Sequence, residues 1–213
     1  MTPIIKVYSD YKSPYAYLAK DLVYALADET GAHIDWLPYT LDIPSYLGSA
    51  KLGPDGKVIE ESRNAHQWRR VKYSYMDCRR EANLRGLTIR GTQKIWDSSL
   101  ANIGLLYARR ENVVRPYHDR VFERFWRREL DIENVNVLAD LLTECGADGV
   151  AFATFASNEG RQQLLDVQRE AEAAGVFGVT SFLLEDGDLY WGREHLPRIK
   201  ELILARSSEA SPR

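Results

Sequence analysis

Cysteine is scarce in this chain: there are two in 213 residues, Cys78 and Cys145. They lie far apart and form no Cys-x-x-Cys pair, which excludes a disulfide framework and a vicinal dithiol. Such usage suits a reducing compartment, and the cytoplasm is the expected location. Long apolar runs are missing too. None approaches the roughly 18 residues that span a bilayer, so no membrane partner is expected. The opening MTPIIKVYSDYKSPY has no basic-then-apolar targeting pattern. An excess of one charge sign is also absent: the net charge is −3, which gives no bulk electrostatic reason to bind nucleic acid. The four histidines, His33, His66, His118 and His195, lack metal-ligand spacing, and no metal site is expected. Nucleophile-elbow, Walker and dinucleotide signatures are absent.

What is present is ordinary for a soluble globular protein, 45% hydrophobic and 28% charged, and long enough for one domain with a large insertion. Residues 3–9 (PIIKVYS) are short, β-branched and apolar, and predict a buried strand. Ser13-Pro14 then opens a helix: serine is a favoured N-cap, and proline at the first helical position gives up no hydrogen bond. Tyr17, Leu18, Leu22 and Leu26 form its apolar side, and Gly31 ends it. Residues 33–39 (HIDWLPY) predict a second strand, completing a βαβ unit. Residues 41–59 read as irregular from Pro44, Gly48, Gly53, Pro54 and Gly56.

From about Ser62 the pattern is helical for a long stretch. Trp68, Val71, Tyr75, Cys78 and Ala82 share one helix face. Further helices are predicted over 95–107, 115–128, 137–145, from 152 to 156, and over 159–174. Period two returns in 181–185 and 189–191, a hairpin around Asp186-Gly187, before a last helix over 193–206. The tail after Arg206 is expected to fray. The layout is α/β, a sheet split by a helical block, since neither outer piece has enough strands to bury a core alone. Residues 1–45 and 159–213 are expected to form one discontinuous domain, with 46–158 inserted as helices.

Two segments carry a family resemblance. Residues 9–18 (SDYKSPYAYL) resemble the D-x-x-S-P-Y-x-Y-L opening of 2-hydroxychromene-2-carboxylate isomerases and kappa-class glutathione transferases. Residues 170–196 (EAEAAGVFGVTSFLLEDGDLYWGREHL) are similar to that family's E-A-x-x-x-G-V-F-G-V-P-T-F … W-G-x-D-R-L. A looser match runs through Lys72-Tyr73-Ser74-Tyr75-Met76. The resemblance spans nearly the whole chain and implies a DsbA-like thioredoxin fold with a helical insertion, a homodimer, and glutathione as cofactor.

It also implies site residues. Ser13 would be catalytic, its hydroxyl donating to a glutathione thiolate at the positive end of the first helix. The competing reading makes Ser13 an N-cap and nothing more. Val179 would pair its backbone with the cysteinyl unit, beside Thr180. Glu194 would receive the γ-glutamyl ammonium, or else only complement a helix dipole. Asn64 matches a glutathione-contacting asparagine loosely. Trp191 reads as hairpin packing. Where the family writes Val-Pro, this chain writes Val179-Thr180; proline makes a cis bond common, so the bond here is either kept cis or is trans in a rebuilt loop. Tyr11, Tyr15, Tyr39, Tyr73, Trp96 and Phe125 read as core first and as an acceptor pocket second. The arginine pairs 69-70, 79-80, 109-110 and 127-128 read as solvated helix faces, with steering of an anionic substrate as the alternative.

The function these features imply is a glutathione-dependent isomerase or transferase acting on an electrophilic aromatic or unsaturated small molecule. Two alternatives stand beside it. One is a binding or assembly module that kept the fold without catalysis. The other is thiol-disulfide exchange, which would need thiols where Ser13 and Ala16 stand.

Overall fold

A computed structural model describes residues 2–209, with side chains to residue 206. Strand β1 (Ile4–Ser9) leads into helix α1 (Pro14–Thr30) and strand β2 (His33–Pro38). Ser13 takes extended backbone angles and caps α1, with Pro14 inside the first turn; Gly31, at φ +70°, closes the helix by donating to Ala27 O. Leu22 is exposed, and the neighbouring Val23 fills the core position instead.

Residues 41–59 are more ordered than their turn residues suggest. They hold a short helix, α2 (Ile43–Leu47), strand β3 (Ala50–Leu52) and the start of strand β4 (Val58–Glu61). These strands pair antiparallel around the Gly53–Gly56 turn. All four residues of β4 are exposed, so no hydrophobic alternation marks it in the sequence.

The helical block follows: α3 (Ala65–Leu84), α4 (Ser99–Arg110), α5 (Val114–Trp126), α6 (Val135–Glu144) and α7 (Gly149–Ser157). Every residue from Ala101 to Ala108 is buried, as a helix at the centre of a packed core must be. Gly104 is required there: a Cβ on it would meet Tyr117 Oη at 2.0 Å, and that hydroxyl donates to Ala101 O at 2.9 Å. His118 is fully buried among Tyr11, Trp36 and Phe122. Burial pushes its imidazole down to about 3.

Helix α8 (Glu159–Ala173), strands β5 (Ser181–Leu184) and β6 (Leu189–Trp191), a 3-10 turn (Arg193–His195) and helix α9 (Leu196–Glu209) complete the chain. Helix α9 runs on past Arg206 to Glu209, further than the expected fraying point; the rest of that tail lies outside the described residues. The main sheet has the order β2-β1-β5-β6, with β1 parallel to β2 and antiparallel to β5. Val7, Tyr8 and Ser9 are buried in succession, so both faces of the sheet are covered at that end. Helices α4 and α8 pack on β2, and α1 packs on α9 and α3. The expected α/β arrangement, a sheet split by helices, is what the chain adopts.

Candidate functional site

The sheet register decides which residues meet. Ser9 pairs with Pro38, Tyr8 with Ser181, and Ser181 with Trp191. The end of β1, the start of β5 and the end of β6 therefore share one edge of the sheet. From that edge spring the loop 10–13 leading to Ser13, the Val179-Thr180 segment, and the Gly192–Glu194 turn. Four residues expected to form a site, Ser13, Val179, Thr180 and Glu194, are thus brought to one edge.

Ser13 is 6% exposed. Its Oγ accepts from Ala16 N at 3.3 Å, the bond an N-cap makes. Its own proton has no acceptor among the described residues. The Tyr15 N–H is likewise unpaired, and Pro14 has none to offer. One free O–H and one free N–H therefore stand at the positive end of a 17-residue helix, which favours an anion there.

The Val179-Thr180 peptide bond is cis. Thr180 O accepts from Gly192 N at 2.9 Å, which ties the segment to the end of β6. The N–H and C=O of Val179 have no hydrogen-bond partner among the described residues. Thr180 is buried and its Oγ1 is unpaired. Glu194 is exposed, and its carboxylate folds back over Gly192. A Cβ at Gly192 would lie 2.4 Å from that carboxylate, and φ is +106°, so glycine is needed on both counts. Trp191 is half exposed; its ring meets Phe177, itself 65% exposed, at 5.1 Å.

Asn64 stands apart in role. Its side chain accepts from Gln67 N at 2.9 Å while Gln67 returns a bond to Asn64 N, a capping box that starts α3. It lies about 20 Å along the helix from Asp77, the residue by which α3 touches the first turn of α1. The aromatic set also disperses: Tyr11, Tyr39 and Phe125 are buried, whereas Tyr73 is exposed.

Side chains distant in sequence hold the edge in place. Asp10 is fully buried and accepts from Leu41 N at 2.8 Å and Lys12 N at 3.4 Å. Asn102 Nδ2 approaches it at 3.5 Å, and Lys12 Nζ at 3.8 Å. Burial pushes this carboxyl up against the pull of Lys12 and the hydrogen bonds. The Asp of the D-x-x-S-P motif thereby fastens the loop before Ser13 to α4 and to residue 41. Tyr15 donates to Asp77, and the Arg193 guanidinium lies 5.6 Å above the Tyr15 ring while pairing with Glu81. Cys78, beside the Tyr15 hydroxyl, is fully buried and its thiol is pushed up to about 12, chiefly by burial, so it is no thiolate at neutral pH.

Known proteins share this fold. The chain is 25% identical over 206 residues to the 2-hydroxychromene-2-carboxylate isomerase of Sphingobium xenophagum, covering 96% of this chain and all of the relative. A solved 2-hydroxychromene-2-carboxylate isomerase superposes with a TM-score of 0.73 at 23% identity, over 98% of this chain and 100% of that one. The cytosolic disulfide reductase DsbM of Pseudomonas aeruginosa, solved with GSH, gives 0.67 at 17% identity, over 97% and 98%. At these identities the structural likeness is one of fold. The family model of the DSBA-like thioredoxin domain matches residues 4–204, so the chain, with its serine at the head of α1, belongs to that family.

Proposed function

We propose that this protein is a glutathione-dependent isomerase or transferase acting on an electrophilic aromatic or unsaturated small molecule. The observation that carries the reading is the pair of uncommitted donors at the head of α1, the Ser13 hydroxyl and the Tyr15 N–H, on the same sheet edge as the unpaired backbone of Val179. Glutathione suits these groups: it is a small peptide with a sulfur that ionises, so a peptide backbone can use Val179 and a thiolate can use Ser13. Bound glutathione supplies the nucleophilic sulfur, which adds to the electrophile and either stays as the conjugate or leaves after bond rotation.

The chain's own residues do the rest. Ser13 keeps its lone pair on Ala16 N–H, which aims its proton outward to an anion. The α1 dipole adds roughly 0.3–1 kcal/mol for an exposed anion and up to about 2 for a partly buried one. Val179 offers one N–H and one C=O to the cysteinyl unit, beside Thr180. Glu194 offers its carboxylate to the γ-glutamyl ammonium. Two relatives in fold support the reading, one named an isomerase and one solved with GSH. Dithiol exchange is disfavoured by Ser13 and Ala16 and by the buried, protonated Cys78.

Calorimetric titration with glutathione, followed by an assay on a chromene carboxylate, tests the reading. Saturable binding that Ser13→Ala weakens, with turnover dependent on glutathione, is the expected result. No binding, or binding and turnover indifferent to Ser13→Ala, overturns it.

A further inference from the structure

One sizeable cleft lies away from Ser13. It has a volume of about 670 Å³ and lies between α3, the β3–β4 hairpin and residues 91–95. That volume is in the range of small-molecule sites. Helical geometry sets it on another side of α3 from the active edge: at 100° per residue, Lys72, Tyr75, Met76 and Arg79 point away from Asp77 and Glu81, which reach Tyr15 and Arg193.

Its lining is charged in one sense. Arg63, Lys72, Arg79, Arg80 and Lys94 all line it, and no Asp or Glu does. Carboxylates reach two of these cations from outside the wall: Arg80 meets Asp77 at 3.7 Å, and Lys94 pairs with Glu133. Arg63 and Arg79 instead donate to the backbone oxygens of Leu47 and Ile89, each at 3.1 Å, and neither forms a salt bridge among the described residues, although the Glu61 carboxylate that accepts from Trp68 Nε1 at 2.8 Å offsets part of the Arg63 charge. Lys72 has no partner of any kind among them. The floor is aromatic and soft. Trp68 and Tyr75 lie under the guanidinium groups of Arg63 and Arg79, at 5.0 and 5.5 Å, with Met76 alongside.

We propose that this cleft is a second ligand site, taking a small organic anion with a flat aromatic body. The aromatic floor and methionine accept the ring, and the cations outside any salt bridge accept the acid group. A second copy of the chain docking by the same face is disfavoured, because a two-fold contact would set like charges against each other. Lys94 and Arg80, held by partners at the rim, leave Lys72 as the free charge that meets the ligand.

The probe is anilinonaphthalene sulfonate, titrated by fluorescence into the full chain, with the uncharged phenylnaphthylamine as its comparison. Lys72 and Arg80 are exposed, so charge reversal there keeps the fold, and thermal melting checks that. The expected result is one probe per chain, with Lys72→Glu weakening it by at least about ten-fold and Arg80→Glu by less. Saturating glutathione leaves the probe bound, and Lys72→Glu leaves glutathione binding unchanged. The proposal is overturned if the uncharged compound binds as tightly, if Lys72→Glu has no effect, or if glutathione displaces the probe. Failure of glutathione to bind at all would sink only the reading of Ser13.

Discussion

Tyr15 donates its hydroxyl to Asp77 Oδ2 at 3.1 Å, joining the first turn of α1 to α3 across 62 residues of sequence. The bond sets the attitude of the helix start that presents Ser13. A hydrogen bond to a charged acceptor is worth about 1.5–3 kcal/mol, and this one is only partly buried. Tyr15→Phe is therefore expected to lower stability by about 1.5 kcal/mol in urea titration with an unchanged slope. Asp77→Asn, which keeps an acceptor, should cost less; equal losses would contradict the account.

Ser13→Ala separates capping from chemistry. Loss of the cap costs about 1 kcal/mol of stability. Loss of the hydroxyl donor should raise the pKa of bound glutathione's thiol by about one unit, equivalent to roughly 1.4 kcal/mol. Ultraviolet absorbance of the thiolate across a pH series reads this shift directly. A variant less stable but with the same thiol titration would leave Ser13 as a cap alone.

His118 gives the fold a pH dependence. Burial, with the Lys20 charge adding to it, pushes its imidazole down to about 3 in the folded protein. In the unfolded chain it titrates near 6.5. Between those values the unfolded state binds the extra proton, so acid destabilises, by up to about 1.4 kcal/mol per pH unit. Asp10, with its raised carboxyl, acts in the opposite sense above the usual carboxylate range. Comparison with His118→Phe isolates the histidine: the variant's melting temperature should fall less steeply below pH ~6.5. Parallel curves would refute the assignment.

Gly104→Ala tests the packing of α4 against α5. The added methyl meets Tyr117 Oη at 2.0 Å and Cζ at 2.7 Å, so about 1–3 kcal/mol should be lost. Adding Tyr117→Phe removes the nearer atom and should recover part of that loss. A double-mutant cycle with no coupling between the two would show that the helix yields elsewhere.

Much of the fold is legible in the residues because local chemistry and burial agree. Ser13-Pro14 opens α1 and Gly31 closes it, and the hairpin turns at Asp186-Gly187. The β3–β4 hairpin is not legible, since its strands are short and Val58–Glu61 are exposed on both faces. Helix α4 begins at Ser99 and not near Ile95, because Glu133 takes the Asp97 N–H and the Asp97 carboxylate accepts from Ser99 N, the first residue of the helix. At the site, motif order alone located the Ser13 and Val179–Thr180 segments. The Arg193–Glu81 pair, 112 residues apart, has no local signature. Asn64 carries two meanings in sequence, ligand contact or cap, and its bond with Gln67 belongs to the second.

The strand order β2-β1-β5-β6 also has a consequence for biosynthesis. Strand β1 is interior to the sheet, yet the neighbour that covers one of its sides begins only at Ser181. A nascent chain thus carries an unsatisfied ribbon edge while the whole helical block is translated. That is the interval in which a ribosome-bound chaperone would have most to shield, and in which a stalled polypeptide would be most prone to self-association.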